Sequence, residues 1–247
     1  MSIISISVVI IAKNAQETIK ECLGSLKEFD EIILYLNNST DNTKKIALKF
    51  PNVKIFEGDF IGFGSTKNKA AEYAKNEWIF SLDSDEILNK KIIDEIKNQD
   101  FTNDRNIFIV KRENYFLGYK TINKDLIARI YNKKTTRFND NAVHEKIIIN
   151  QNSNKIILKN SFQHLNITDI NQTLTKMMKY TDLGAENKKT CFFLIVIAKS
   201  TFAFIQTYFL RLYFLNGWIG FTVAVTNANR RFYKYLKRYI NCKGEKS

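Results

Sequence analysis

The chain opens on a continuous apolar, β-branched run over residues 3–11, the pattern of a strand buried on both faces. Ile19, Cys22, Leu23 and Leu26 then recur at helical spacing and predict a helix with one apolar face. The alternation continues with a strand at 31–36, a polar loop at 37–41, a helix at 43–50 and a strand at 53–57, just beyond Pro51. A glycine turn at 62–65, a helix at 66–75 and a strand at 78–82 complete it. Strands alternating with helices predict an α/β fold, a mainly parallel sheet with helices on both sides. Ligands bind such sheets outside the carboxyl ends of the strands. Those ends are 13–14, 37–41, 59–65 and 83–86.

From residue 106 the pattern shortens to strands at 107–111, 127–131, 146–149 and 155–158, an antiparallel or mixed extension. After residue 168 it is helical to the end. We therefore expect one domain over 1–167, with halves 1–105 and 106–167, followed by a helical region over 168–247. The apolar start has no basic flank and no small-residue cleavage site, so it reads as a strand and not as a signal peptide. Residues 191–215 carry only Lys199 and Arg211 as charges, which suits lying on a membrane better than crossing one.

Composition adds direction. The 247 residues are 45% hydrophobic and 26% charged, enough to build a core. The formal net charge is +13, which points to an anionic partner. Residues 190–247 hold nine Lys or Arg against Glu245 alone, whereas the first 189 residues are nearly balanced. Bases interleaved with aromatics suit an anionic lipid surface, a solvated helical cap, or single-stranded nucleic acid. Cys22, Cys191 and Cys242 are scattered and odd in number, so a disulfide scaffold is not expected and a reducing compartment is the simpler reading.

The sharpest chemistry is Asp83-Ser84-Asp85-Glu86 at the end of the fourth strand. In an extended segment, i and i+2 face one side, so Asp83 and Asp85 can share Mg²⁺ or Mn²⁺, which favour oxygen ligands and bridge to phosphates. The alternative is a solvated acidic turn. Gly62-x-Gly64-x-x-Lys67 has neither P-loop spacing nor the third glycine of a dinucleotide fingerprint, yet Lys67 at a helix start can face an anion. His144-Glu145 is not HExxH, because Ile148 stands at the second histidine position; Glu145 near an anion site can serve as a base.

Taken in order, these segments resemble the inverting family 2 glycosyltransferases of GT-A fold. More narrowly they resemble bacterial lipopolysaccharide or lipooligosaccharide core β-glucosyltransferases. The resemblance rests on residues 5–14, on Ser39-Thr40-Asp41-Asn42-Thr43 and on Gly62-x-Gly64-x-x-Lys67-Asn68. It also rests on Leu82-Asp83-Ser84-Asp85-Glu86, Val143-His144-Glu145 and Phe214-Leu215-Asn216-Gly217. Leu36 stands where many relatives carry an aspartate that holds nucleotide, Asn37-Asn38 replaces Ser-Gly, and Asn216 replaces Asp.

The resemblance implies a UDP-sugar donor, most simply UDP-glucose, and a divalent cation (Mg²⁺ or Mn²⁺) held by Asp85 with Asp83. It implies a nucleotide-sugar pocket drawn from Lys13, Asn14, Asp41, Lys67, Asn68, Asp83 and Arg129, with Glu145 or, second, Asp140 as base. The implied acceptor is a lipid-linked core oligosaccharide reached from the cytoplasmic face of the bacterial membrane, where the basic tail meets anionic lipid without a nucleic-acid role. A polyprenyl phosphate or other surface-glycan acceptor stands as the alternative. From a different class, so does a silent nucleotide-binding or nucleic-acid-binding protein.

Overall fold

A computed structural model describes residues 4–141, 145–167 and 169–244. Ile3, Val143, His144, Glu245 and Lys246 lie outside the described residues. The chain divides into two compact units, Met1–Glu113 with Asp125–Leu165, and Asn114–Lys124 with Asn166–Ser247.

The first unit starts with the predicted alternation. Strands β1 (Ile4–Ala12), β2 (Phe29–Leu36), β3 (Val53–Glu57) and β4 (Trp78–Asp83) are interleaved with helices α1 (Ile19–Gly24), α2 (Thr43–Ala47) and α3 (Phe63–Glu72). β1 pairs in parallel with β2 and β4, and β2 with β3. The later strands are β5 (Glu86–Ile87), β6 (Asn106–Phe116), β7 (Tyr119–Asn132) and β8 (Asn154–Ile167). Among the described residues the sheet order is β3-β2-β1-β4-β7-β6-β8-β5. β7 pairs antiparallel to β4, and β5 antiparallel to β8.

Alternation along β1 explains the two cores. Ile6, Val8 and Ile10 face one layer with Cys22, Leu23 and Leu26, while Val9 and Ile11 face the other with Ala70 and Ala71 of α3 and with Ala74 just beyond it. A further helix, α4 (Lys90–Lys97), lies where the residue pattern predicted no element. Its signals are Ile92, Ile93 and Ile96, all buried, and the Asn89 side chain accepting from the Ile92 N–H.

Two strand-level expectations change. Helix α2 stops at Ala47 and leaves through a tighter turn, in which the Lys49 and Phe50 N–H groups donate to the Ile46 and Ala47 carbonyls, ahead of Pro51, which disfavours helix at Phe50. The expected strand at 146–149 is a single bridge between Phe138 and Ile147, with Ile148 and Ile149 exposed. A run of three isoleucines has no period of two, so its hydrophobicity alone could not specify a paired strand.

The second unit contains the tip of the β6–β7 hairpin and the helices α5 (Ile170–Ala185), α6 (Phe193–Ile205) and α7 (Gly217–Gly244). A π turn, Gln206–Leu210, extends α6, and a short 3-10 segment, Tyr213–Asn216, leads into α7. Ring pairs Phe193–Tyr239 and Phe204–Phe221 show that α6 and α7 run antiparallel. Arg238 donates to the Gly184 carbonyl and Lys237 to Thr181 and Asp182, tying α7 to α5. Part of the basic tail is therefore internal scaffolding.

The expectation of unpaired cysteines is overturned. Cys191 and Cys242 form a disulfide, with Cα atoms 5.4 Å apart, because antiparallel packing of α6 and α7 returns the chain after 51 residues. Cys22 is the free, buried cysteine. Phe193–Leu210 is long and apolar enough to cross a membrane by length and composition. One side of it is nevertheless packed: Val196, Ala203 and Thr207 are buried, and Ser200 donates to the Ala228 carbonyl of α7.

Candidate active site

The carboxyl ends of the parallel strands carry a chain of alternating charges, all within the first unit. Lys67 Nζ lies 3.1 Å from Asp83 Oδ1 and 2.8 Å from Glu145 Oε1. Arg129 reaches the other oxygen of Asp83, Oδ2, at 2.8 Å and also pairs with Glu86. Arg112 follows, 3.5 Å from Glu86 and 2.8 Å from Asp125. The Asp83 N–H donates to Glu86 at 2.9 Å, closing the turn at the strand end.

Each member is delivered by a different element. Lys67 lies one turn inside α3, which begins at Phe63, three residues earlier than the residue pattern predicted. Gly64 is required there: a Cβ at this position would stand 1.8 Å from the Asn139 carbonyl oxygen. The close approach brings the segment carrying Glu145 against α3, where Asn68 exchanges two hydrogen bonds with the backbone of Phe138. Arg129 comes from β7, next to the β4-paired residues Ile130–Asn132.

The electrostatics favour charge at the exposed end and oppose it at the buried end. Burial penalises ionised Asp83, but Arg129 and Lys67 outweigh it and hold its carboxyl well below the usual carboxylate range. Glu86 is fully buried, and burial, reinforced by Asp83 and opposed by Arg129, raises it. Asp83 and Glu86 together push the Arg129 guanidinium up against the cost of its own burial. Burial also raises the Cys22 thiol, whose sulfur sits 3.7 Å from the Asp83 carbonyl oxygen. Cys22 is therefore an unreactive packing residue beneath the site.

Asp83 and Asp85 do not share one extended face. The chain turns at Ser84–Asp85, so their carboxylates meet different partners. Asp85 lies 3.4 Å from His164 Nε2, and its carbonyl accepts the Leu165 N–H. This follows from the β5–β8 pairing, in which Glu86 sits opposite His164. Both oxygens of Asp83 engage cations, whereas the Asp85 carboxylate stands beside the His164 imidazole. A hard divalent ion completes its shell with water and substrate phosphates, so this donor pair fits such an ion through few protein ligands. Among the described residues no larger cluster of metal-binding side chains occurs.

The remaining predicted residues divide clearly. Asn14 takes a left-handed conformation; its side-chain oxygen accepts the Thr40 N–H and its N–H donates to Ser39. Asp41 accepts from Gln16 N–H and from Thr43 N–H and hydroxyl, and these bonds outweigh burial to lower its pKa. Asn14 and Asp41 thus join the loops after β1 and β2. Lys13 is exposed at the same rim. Asp140 is 61% exposed and pairs with Arg137 at 3.3 Å, outside the charge chain. Arg112 belongs to the site but escaped the reading of the residues, whereas Glu86, which stands in the acidic motif, and His164, one of the two histidines, were visible there without an assigned role. A glutamate directly after the Asp-x-Asp pair was the available sign for Glu86. Asn37 also escaped it: the residue is buried at the end of β2, and its side-chain oxygen has no hydrogen-bond partner among the described residues.

A parallel sheet with a charged strand-end site and an antiparallel extension defines a GT-A nucleotide-sugar transferase fold. The chain belongs to glycosyl transferase family 2, whose model matches residues 7–165. It is 27% identical to an uncharacterised glycosyltransferase of Rickettsia prowazekii over 94% of this chain and 86% of that protein. It is 25% identical to the lipopolysaccharide core biosynthesis glycosyltransferase LpsC of Rhizobium meliloti, over 95% of this chain and 92% of that protein. Among solved structures it resembles S. aureus TarS 1–349 in complex with UDP-GlcNAc, with a TM-score of 0.51 and 15% identity, covering 99% of this chain and 92% of that one. The last likeness concerns the fold.

Proposed function

We propose that this glycosyltransferase uses UDP-glucose and transfers glucose, with inversion, to a lipid-linked lipooligosaccharide or lipopolysaccharide core acceptor at the cytoplasmic membrane face. The observation that carries the reading is Lys67, buried and held between Asp83 and Glu145 at the strand ends. It places a cation between the residue expected to meet the donor and the residue expected to meet the acceptor. The core-biosynthesis role of the Rhizobium relative supports the acceptor class.

In this reading Asp83, kept ionised by Arg129 and Lys67, accepts hydrogen bonds from the donor's ribose. Asn37 offers its unpartnered oxygen to a base N–H, at the strand end where Leu36 leaves no carboxylate. Asp85, with His164, would hold a divalent cation, which when bound offsets charge on the diphosphate. Lys67 lends positive charge to the same leaving group. Glu145 removes the proton from an acceptor hydroxyl, whose oxygen attacks the anomeric carbon opposite the diphosphate. The bond to UDP breaks and UDP leaves with the electron pair, so an α-linked donor gives a β-linked product. Glu145 is preferred to Asp140 because it joins the charge chain while Asp140 faces solvent.

The test follows UDP release from a panel of UDP-sugars with Mg²⁺ or Mn²⁺, with and without a truncated lipooligosaccharide. Acceptor-dependent release from UDP-glucose, abolished in Asp85→Ala, is the expected result. Release only with another sugar overturns the donor, and no release with any UDP-sugar overturns the assignment.

A further inference from the structure

The second unit contains a clasp joining segments some ninety positions apart in the chain. The Asn216 side chain accepts the Ile122 N–H at 2.6 Å and donates to the Lys120 carbonyl at 3.0 Å. Asn123 donates to the Arg211 carbonyl at 3.1 Å, and the Tyr119 and Trp218 rings meet edge to face at 5.2 Å. The tip of the β6–β7 hairpin is thereby fixed to the elbow between α6 and α7. An aspartate at 216 would accept from Ile122 but leave the Lys120 carbonyl without its donor.

The elbow is closely packed and apolar. Gly220 lets α7 pass the Tyr213 carbonyl, where a Cβ would stand 1.7 Å away. Leu212 takes φ +58°, an uncommon conformation for a bulky residue and one that only surrounding structure holds. Despite this order, Leu210 is 68%, Leu215 61% and Trp218 59% exposed, with Leu212 and Ile122 beside them also exposed. A contiguous apolar face of this kind marks an interaction site.

Charge identifies the occupant. Residues 114–124 and 187–244 contain no acidic residue, while Lys120 at the hairpin tip and Arg211 at the elbow are exposed. A second copy would bring an equally basic, acid-free face against this one, and like charges oppose that pairing. An anionic bilayer supplies both an apolar interior and a negative surface. Tryptophan and tyrosine suit the boundary between them.

We infer that the α6–α7 elbow and the β6–β7 hairpin tip form one membrane-seating edge. Leu210, Leu212 and Leu215 enter the acyl region, Trp218 and Tyr119 lie at its boundary, and Lys120 and Arg211 meet anionic headgroups. This rests on the membrane reading above and relocates its centre from the basic length of α7 to the elbow.

The test uses the full chain with vesicles of phosphatidylcholine, with and without phosphatidylglycerol. Trp78 is buried, so the exposed Trp218 reports insertion. We expect cosedimentation with phosphatidylglycerol vesicles, weakened by salt, and a blue shift of tryptophan emission that persists in Trp78→Phe. Leu210→Gln/Leu215→Gln, checked for folding by circular dichroism, should bind about tenfold more weakly or less. Arg230→Gln/Arg231→Gln, on exposed α7, should lose less. Undiminished binding of the leucine variant without a Trp218 shift overturns the elbow assignment while the membrane reading stands. No binding of the unaltered protein to either vesicle overturns both. A dimer in sedimentation that the leucine variant splits assigns the face to a second copy and overturns the inference.

Discussion

The two units treat similar apolar side chains in opposite ways. In the sheet unit, Ile10, Ile32, Leu34 and Phe80 are wholly buried, and the groups left at the strand ends are charged. In the helical unit, Phe192, Leu194, Leu210 and Leu215 are largely exposed, and the residues tying the helices together include Arg238, Lys237 and a disulfide. A sheet covered on both sides has two faces on which to bury hydrophobic groups. An antiparallel helix pair has one narrow seam and shows the rest. Hydrophobicity therefore maintains the fold in the first unit and is available for binding in the second.

The strongest way to break this contrast is to remove a charge from the interior of the sheet unit. Arg129→Met leaves the buried Glu86 with the more distant Arg112 and the cross-strand His164, and frees Asp83 on one side. Breaking a buried pair by removing one partner costs about 3–5 kcal/mol. Urea unfolding should show a loss of that size, and an unchanged midpoint would deny the charge chain its structural role.

In the helical unit the matching lesion is loss of the Cys191–Cys242 bridge. Cys191→Ser/Cys242→Ser should lower that unit's stability by about 2–4 kcal/mol. UDP binding should be retained, because every proposed nucleotide contact lies in the other unit. Hydrogen exchange resolved by segment measures the first effect and calorimetric titration with UDP the second. Equal loss of protection in both units would dissolve the comparison.

Next come changes that should silence chemistry while sparing the fold. Asp85→Asn and Glu145→Gln should each reduce UDP release about a hundredfold, with thermal midpoints close to the unaltered protein. Asp140→Asn should remain near normal, since its partner is the solvated Arg137. A reversed ranking of Glu145 and Asp140 would move the base to Asp140.

The smallest effect is the pH dependence of the sheet unit. Asp83 and Asp41 are held below the ordinary carboxylate range, so the stability they contribute is present above pH about 4. It is lost as pH falls through their lowered pKa values. Glu86 is raised, so its contribution is present below the ordinary glutamate range and is lost as pH rises through its folded value. Unfolding midpoints of Asp41→Asn across the acid range should vary less steeply than those of the unaltered protein.

Particular residues show how far the pattern along the chain could be read. The run at 3–11 and the helix at Ile19–Leu26 needed only period and burial, and both the strand and the helix start stand where expected. Asp83 and Lys67 were visible as candidate groups from their places at a strand end and a glycine turn. Their direct contact was not visible, because it depends on how far α3 tilts and on Gly64 admitting the Asn139 backbone. That Asp83 and Asp85 share one extended face was misjudged, since the chain turns at Ser84–Asp85, where the Asp83 N–H donates to the Glu86 carboxylate. The Cys191–Cys242 bridge was missed because an odd count says nothing about which helices lie side by side.

What the sequence by itself determined is local and periodic: the strand and helix order of the first hundred residues, the acidic and basic groups at the strand ends, and the concentration of positive charge toward the end of the chain. Those features follow from backbone geometry and side-chain chemistry over a few neighbouring residues. Only the tertiary structure decided which distant groups meet: Glu145 with Lys67, His164 with Asp85, Asn216 with the tip of the hairpin. Such pairs depend on ångström-scale packing between elements, and a side chain reports that packing only once its neighbours are in place.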